Sequence, residues 1–173
     1  MANPIVERHK VLAFMGVPTT VTESGTTTTT IVYNRMKKFT QFSCSKNPIE
    51  YSRQYVDEPF QQTDVVGFSP SYSYAFDKHK NLAVQEDIVG ITNGEKLGDE
   101  AIRTVIIVDT TAASESSGTY TATALKRDYS IIPNSEGDNI NVYTYSGNFK
   151  AHGEQTEVTV TSSDNWQTVS IST

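Results

Sequence analysis

Apolar and polar residues alternate with a period of two along much of this chain, which is the pattern of β-strands with one buried face. Two clear examples lie at residues 49–55 and 71–76, where large side chains, all apolar or aromatic except Arg53, alternate with mostly polar ones. The polar positions of these two stretches are Glu50, Ser52, Gln54, Ser71 and Ser73. The pattern predicts a long β-hairpin arm with its aromatic face turned inward and with residues 57–70 as a long inter-strand loop.

The remaining pattern predicts a central strand, one helix and several outer strands. Residues 101–108 are apolar at nearly every position, as expected of a strand that is covered on both faces. A helix is predicted from Asn81, a candidate N-cap, to Gly94, a candidate C-terminal stop. Its apolar stripe consists of Val84, Ile88 and Ile91. Further strands are predicted at residues 5–14, 119–132, 140–149, 157–160 and 169–171.

A Thr-rich segment at residues 19–30 interrupts this alternation, with five consecutive threonines at residues 26–30. It has no hydrophobic face to bury, so it is predicted to be an exposed, mobile loop. With 173 residues, the chain is predicted to form a single domain over residues 1–173. The fold class is mainly β: a β-sandwich or partly open barrel of seven or eight strands with one flanking α-helix.

Composition narrows the classes of function. The net charge is −6, with Lys plus Arg 14 and Asp plus Glu 20, which disfavours a basic nucleic-acid-binding domain. Cys44 is the only cysteine, which excludes an intrachain disulfide and a zinc site built on thiolates. No secretion signal is recognisable near the N-terminus, and no apolar run approaches the roughly 20 residues of a membrane helix.

The charge is unevenly distributed along the chain. Residues 1–54 hold seven Lys/Arg against three Asp/Glu, whereas residues 55–173 hold seven against seventeen. In a monomer this asymmetry is a solvated surface. In a homo-oligomer it allows the basic edge of one subunit to meet the acidic edge of the next, which sets orientation more than affinity.

The sequence contains no recognisable catalytic or metal-binding pattern. The three histidines, His9, His79 and His152, have no second ligand at metal-site spacing. Acidic pairs occur at residues 57–58, 86–87 and 99–100, but adjacent residues on a strand point to opposite faces and cannot face each other across a substrate. We therefore expect a protein that is not an enzyme and that has no catalytic residues, metal or other cofactor.

Several segments together resemble the tail tube proteins of siphophages of Gram-positive bacteria and of related phage-derived tails. The similarity runs from Lys37 to the C-terminus. Its segments are the strand at residues 39–44, the stretch NPIEYSRQYVDEPFQQTDVVGFSPSYSYAFD, the helix NLAVQEDIVGITNGEKLG, the strand in GDEAIRTVIIVD, and the C-terminal YTATALKRDYSIIPNSEGD and YSGNFKAHGEQTEVTV.

The resemblance implies a structural virion protein that self-assembles into stacked hexameric rings, the tail tube through which the phage genome is delivered. The implied partners are further copies of the chain, a tail terminator, and tape-measure or distal tail proteins. DNA passes through the tube without specific binding, and no membrane is involved. The implied location is the virion tail, assembled in the host cytoplasm.

Within this resemblance, the polar sides of the two arm strands are candidates for the lumen, namely Glu50, Ser52, Gln54, Ser71 and Ser73. A bore with few positive charges lets DNA slide, because duplex DNA carries one negative charge per roughly 1.7 Å. The predicted inter-ring stacking loop contains Asp57, Glu58, Phe60, Gln61, Gln62 and Asp64.

An alternative function is a non-catalytic β-sandwich module that binds a carbohydrate or a host surface. Such modules present aromatic side chains as a flat platform. The candidate platform residues are Tyr72, Tyr74, Tyr143, Tyr145 and Trp166. The competing interpretation is that these aromatic residues form the core, since they alternate with polar residues at strand spacing.

Overall fold

The computed structural model describes residues 3–172; residues 1, 2 and 173 of the predicted domain lie outside the described part. Within it the chain forms twelve β-strands and one α-helix, so the mainly β expectation is confirmed. The strands are β1 (Val11–Glu23), β2 (Thr26–Arg35), β3 (Phe39–Ser45), β4 (Pro48–Arg53), β5 (Gln62–Phe68), β6 (Ser71–Asp77), β7 (Ile102–Asp109), β8 (Ser114–Ser116), β9 (Thr119–Glu136), β10 (Thr144–Ala151), β11 (Thr156–Ser162) and β12 (Thr168–Ser172). The helix is α1 (Ala83–Asn93), and no helix of residues 3–172 is long and apolar enough to cross a membrane.

Six strands close into an antiparallel barrel in the order β11, β12, β2, β1, β7, β9 and back to β11. Closure replaces the predicted sandwich or partly open barrel, because β9 pairs with β7 along one edge and with β11 along the other. Alternate residues point into the barrel and form its apolar core. This core consists of Leu12, Phe14, Ile106, Val108, Ala122, Ala124, Val160, Trp166 and Val169.

The second half of β9 leaves the barrel and begins an open sheet, which continues with β10, β6 and β3. One face of this sheet packs with α1 over a second apolar core. Its members include Met15, Tyr74, Phe76, Val84, Ile88, Ile91, Val105, Tyr129, Ile131, Tyr145 and Phe149. The two cores meet at β7, where Val105 faces the second core and Ile106 faces the barrel. The predicted strand covered on both sides is therefore confirmed.

The predicted helix is confirmed with one correction at its N-terminus. Val84, Ile88 and Ile91 are buried as predicted, and Gly94 is the C-cap. The N-cap is Leu82 rather than Asn81. Asn81 has a positive φ of 62°, and its backbone N–H donates to Glu86 Oε1 at 3.1 Å. The polar residue at the helix entry thus serves a left-handed turn instead of capping the helix.

The predicted pairing of the two aromatic strands is wrong. β4 pairs with β5 in a separate two-stranded sheet, whereas β6 lies between β3 and β10 in the large sheet. The predicted loop at residues 57–70 is correspondingly shorter, because β5 occupies most of its second half. The alternation at residues 62–68 is too weak to identify β5, since Val65 and Val66 are adjacent at a bulge.

The prediction that the Thr-rich segment at residues 19–30 is a loop is also wrong. The segment is the distal part of a hairpin in which β1 and β2 pair as far as Glu23 and Thr26, around a turn at Ser24 and Gly25. Gly25 has a φ of +80°, which glycine adopts without a steric penalty. The predicted exposure of the segment is confirmed.

Two outer strands differ from prediction in their bounds. The predicted strand at residues 5–14 is a 3₁₀ turn at Arg8–Lys10 followed by the start of β1. The predicted strand at residues 140–149 begins only at Thr144. At the second boundary the pattern has no break, because Ile140, Val142 and Tyr143 continue the apolar pattern into β10. At the first boundary the polar residues 7–10 separate Ile5 and Val6 from β1 and mark the break that the prediction passed over.

Candidate assembly surfaces

The hairpin of β4 and β5, residues 48–68, is called the arm below. No residue of the arm belongs to either apolar core, and every residue of β4 is exposed. Nineteen large hydrophobic side chains are exposed in the described chain, and eight of them lie in the arm. They are Ile49, Tyr51, Tyr55, Val56, Phe60, Val65, Val66 and Phe68. A concentration of exposed apolar side chains of this kind marks an interaction surface.

The strand register divides the arm into two faces, since directly opposed residues of antiparallel strands share a face. Tyr51 is opposite Asp64 on one face, where Arg53 Nη1 donates to the Tyr51 hydroxyl at 3.1 Å. On the other face Glu50 is opposite Val65, and Ser52 is opposite Thr63 with 2.9 Å between their hydroxyl oxygens. Both faces are therefore mixed, and the predicted polar side carries an exposed valine.

The tip of the arm, residues 54–61, contains four of the predicted stacking residues, Asp57, Glu58, Phe60 and Gln61. Gln62 and Asp64 lie in β5 instead. The turn is held by a backbone bond from the Glu58 N–H to the Tyr55 carbonyl at 3.1 Å and by the Gln54 amide, which donates to the Glu58 carbonyl at 3.3 Å. Phe60 is 79% exposed and Val56 is fully exposed, so the tip presents apolar groups beside carboxylates.

The predicted lumen residues separate into two groups. Glu50 and Ser52 lie on the arm and Gln54 at its tip, whereas Ser71 and Ser73 lie on β6 in the large sheet. The structure does not bring the two groups together on one hairpin. Their shared alternation pattern predicted strands correctly but assigned them the wrong partners.

Ser71 and Ser73 belong to a face of the open sheet that we call the polar face. The register places eleven residues along it on the three outer strands, all of them polar except Ala75: Gln41, Ser43 and Ser45; Ser71, Ser73, Ala75 and Asp77; and Thr144, Ser146, Asn148 and Lys150. Ser73 Oγ donates to Asn148 Oδ1 at 3.3 Å. The polar face of these strands carries one cation, Lys150, and one carboxylate, Asp77, so it has no net charge.

The opposite face of the same strands is aromatic and buried. Tyr72 stacks on Phe42 with ring centroids 4.4 Å apart, and Tyr74 packs edge-on against Phe149 at 5.0 Å. Burial raises the pKa of Tyr74 far above its usual value, since ionising the phenol would place a charge in an apolar site. This face is a structural core.

The predicted aromatic platform for carbohydrate is wrong. Tyr74, Tyr145 and Trp166 are buried, and Trp166 lies in the barrel core, apart from the tyrosines. Tyr143 is the most exposed of the five residues and packs against Tyr145 at 5.4 Å. The structure thus supports the core interpretation of these aromatic residues.

Several titratable residues make structural contacts, either between the helix and a strand or within a loop. Arg103 donates from Nε and Nη2 to the two Asp87 carboxylate oxygens at 2.7 and 3.0 Å, which ties α1 to β7. His9 lies 3.2 Å from Glu7, and His79 Nδ1 lies 2.7 Å from the Asp77 carbonyl. In the part of the chain that the structure describes, no three His, Cys, Asp or Glu side chains cluster so as to hold a metal.

Comparison with known proteins gives one structural similarity and no sequence match. No family model matches the chain, and no curated protein matches it. Among solved structures it is similar to a chain of the anti-feeding prophage (AFP) baseplate, determined by cryo-EM with 6-fold symmetrisation. The TM-score is 0.47 at 10% sequence identity, over 91% of this chain and 97% of that chain.

Proposed function

We propose that this protein is a structural subunit of a phage-type tail tube, which self-assembles into stacked hexameric rings and encloses the channel for genome delivery. The observation that carries the proposal is the arm, a hairpin with eight exposed large hydrophobic side chains and no place in either core of its own chain. A two-stranded hairpin is at best marginally stable alone in water. A neighbouring copy that covers the arm explains both its composition and its isolation.

The polar face provides a surface suited to a tube lumen. Its strands present serine, threonine, asparagine and glutamine side chains with a balanced pair of charges, Lys150 and Asp77. Such a surface does not retain DNA, because sequence-independent DNA binding comes from Lys and Arg that neutralise phosphates and release counterions. Hence we propose that Ser71 and Ser73 line the bore, while Glu50, Ser52 and Gln54 belong to contacts between subunits.

The proposal assigns no catalysis and no cofactor to the chain. Its partners are further copies of itself, with a tail terminator and tape-measure or distal tail proteins at the ends of the tube. We propose the virion tail as its location, after assembly in the host cytoplasm.

Electron microscopy of the purified protein tests this function. Negative-stain images over a range of concentrations, with native mass spectrometry of the smallest closed species, are expected to show tubes or rings of six subunits. A protein that stays monomeric at every concentration, also when mixed with preformed tail tips, would contradict the proposal.

A further inference from the structure

A gap lies between the start of β1 and β3, where neither strand pairs with another strand on its facing edge. On the β1 side, the Val11 N–H donates to the Arg8 carbonyl, and the Ala13 carbonyl accepts from the Met36 N–H at 2.8 Å. β3 is the last strand of the open sheet and pairs only with β6, and β1 begins to pair with β2 only at Phe14. The Arg8 guanidinium bridges the gap, donating to the Val11 carbonyl at 2.8 Å and to the Phe42 carbonyl at 3.2 Å. We call this gap the slot.

The slot is roomy, and its lining combines apolar side chains with polar and cationic groups. Two clefts of about 480 and 280 Å³ lie along it, and both are lined by Arg8, Val11, Leu12, Ala13 and Phe42. Phe39 and Met36 line the larger cleft, and Tyr72 and Cys44 line the smaller one. The space is therefore sufficient for several side chains of an incoming segment.

The rim of the slot is positively charged. Arg8, Arg35 and Lys38 line the larger cleft, and neither cleft has an Asp or Glu in its lining. Arg35 and Lys38 make no ion pair within residues 3–172. Arg8 uses two of its five N–H donors on the backbone carbonyls, which leaves donors for an incoming carboxylate.

We propose that the slot receives the arm tip, residues 54–61, of a second copy of this chain. This inference rests on the proposed function and names the acceptor of the arm. The tip presents Val56 and Phe60 as exposed apolar groups on either side of Asp57 and Glu58. The arm as a whole has four carboxylates against one cation, Arg53, a net charge of −3. The apolar side chains of the tip match the apolar residues of the slot, such as Leu12, Phe39 and Phe42, and the carboxylates match the cations at its rim.

The contact joins two different surfaces of the chain, the arm tip of one copy and the slot of the next. Such a heterologous contact repeats from copy to copy without closing on itself unless a rotation closes the ring. Charge complementarity of the two surfaces fixes which of them meet and in which orientation. A subunit that must stack repeatedly in one direction requires a contact of this type.

The native thiol of Cys44 in the slot makes the contact directly testable. In Gln61→Cys a second thiol lies at the tip, and a short bismaleimide is expected to join Gln61→Cys of one copy to Cys44 of the next, giving dimers and longer ladders on denaturing gels. The double variant Gln61→Cys with Cys44→Ser is expected to lose the ladder. Thr28→Cys, also at an exposed position but on the other hairpin, is the matched control and is expected to give none.

Charge reversal separates this inference from the proposed function. Arg35→Glu with Lys38→Glu is expected to raise the concentration needed for assembly by about tenfold or more, and adding Asp57→Lys with Glu58→Lys is expected to restore assembly. If wild-type protein forms tubes but neither the cross-link nor the charge effect appears, the inference is overturned and the function stands. If wild-type protein forms no tubes and Gln61→Cys gives no cross-link, both fail.

Discussion

The two hairpins that project from the body of this protein differ in how they are held and in what they expose. The Thr-rich ribbon, residues 18–31, is a direct extension of two barrel strands, and three of its six cross-strand pairs are Thr with Thr. The arm is a separate sheet joined to β3 and β6, where Asn47 Nδ2 donates to the Ser69 carbonyl at 3.0 Å. The ribbon exposes mainly hydroxyl groups, with Val21 and Ile31 as its two exposed large aliphatic side chains, whereas the arm exposes eight large aromatic and aliphatic side chains. The difference indicates that the ribbon tolerates water on all sides and that the arm requires a partner.

Removing each hairpin is the strongest test of this difference. Replacing residues 48–68 by a short Gly-Ser linker is expected to abolish assembly and leave the monomer folded, because neither core loses a residue. The ends are already joined by the Ser69 N–H, which donates to the Asn47 carbonyl at 3.0 Å. Electron microscopy and the thermal unfolding temperature measure the two effects.

The matched control shortens the ribbon by replacing residues 20–29 with an Asn-Gly turn, which suits the directly opposed Thr19 and Thr30. This variant is expected to keep both its fold and its assembly. Equal loss of assembly in the two variants would show that the hairpins do not differ as we describe.

The next largest effect is expected when a glycine of the body, Gly147, is replaced by alanine, and a glycine of the arm serves as its comparison. A Cβ on Gly147 would clash with the Ile132 carbonyl oxygen and would lie 2.7 Å from the Tyr74 hydroxyl. Gly147→Ala therefore forces β9 and β10 apart and is expected to lower the free energy of unfolding by about 2–4 kcal/mol. Chemical denaturation measures the change.

Gly67 in the arm is the comparison for Gly147. A Cβ there would meet only the Ile49 side chain, at 3.4 Å. Gly67→Ala is expected to change the free energy of unfolding by less than about 0.5 kcal/mol. A large loss in Gly67→Ala would mean that the arm is packed as tightly as the body.

These positions also show how far the sequence alone predicts the fold. The strand at residues 101–108 was identifiable because a strand buried on both faces is apolar at nearly every position. The stripe Val84, Ile88 and Ile91 was identifiable because a helix buried on one side has apolar residues at a spacing of three and four. The strand at residues 49–55 and the strand at residues 71–76 have the same periodicity, yet the first is exposed and the second is core. A period of two specifies alternating faces and gives no information on the partner strand.

The ribbon was missed for a related reason. Its residues have high β-propensity but no apolar face, so nothing in the pattern indicates burial. The ribbon pairs because β1 and β2 are already aligned in the barrel, where Gly16 is opposite Tyr33 and Val17 is opposite Val32. Likewise the slot joins Arg8 to Phe42 across 34 residues, and no local signal connects them.

The loop between β11 and β12 is fixed by a network of side-chain hydrogen bonds, centred on Asp164, that the arm tip does not have. Asp164 accepts hydrogen bonds from the Thr168 N–H at 3.0 Å and its hydroxyl at 2.7 Å, and from Ser162 Oγ at 2.9 Å. Burial alone would raise the pKa of Asp164, but these bonds outweigh it and hold the pKa at about 2. The loop is thereby fixed by its own chain and requires no neighbour.

Asp164→Ala is expected to lower the free energy of unfolding by about 1 kcal/mol at neutral pH, since several donors lose their acceptor. The folded-state pKa lies below the ordinary aspartate value of 3.8, so the stabilisation is present above that pH and is lost as the pH falls toward 2. Wild type and variant are thus expected to converge in acid, as followed by thermal unfolding against pH. A constant difference from pH 7 to 2 would show that the carboxylate charge is not responsible.

The smallest expected effect concerns the ribbon itself. Thr22 and Thr27 are directly opposed with 3.1 Å between their hydroxyl oxygens, and Thr20 and Thr29 with 3.3 Å. Cross-strand pairs of this kind contribute about 0.2–1 kcal/mol each, and solvent exposure places this ribbon near the lower value. A double-mutant cycle of Thr22→Ala and Thr27→Ala is therefore expected to give a coupling of about 0.3 kcal/mol, measured by hydrogen exchange of the ribbon amides. A coupling above about 1 kcal/mol would mean that the hydroxyl pairs stabilise the ribbon much more than expected for exposed pairs. The ribbon and the arm would then differ only in how many apolar side chains they expose.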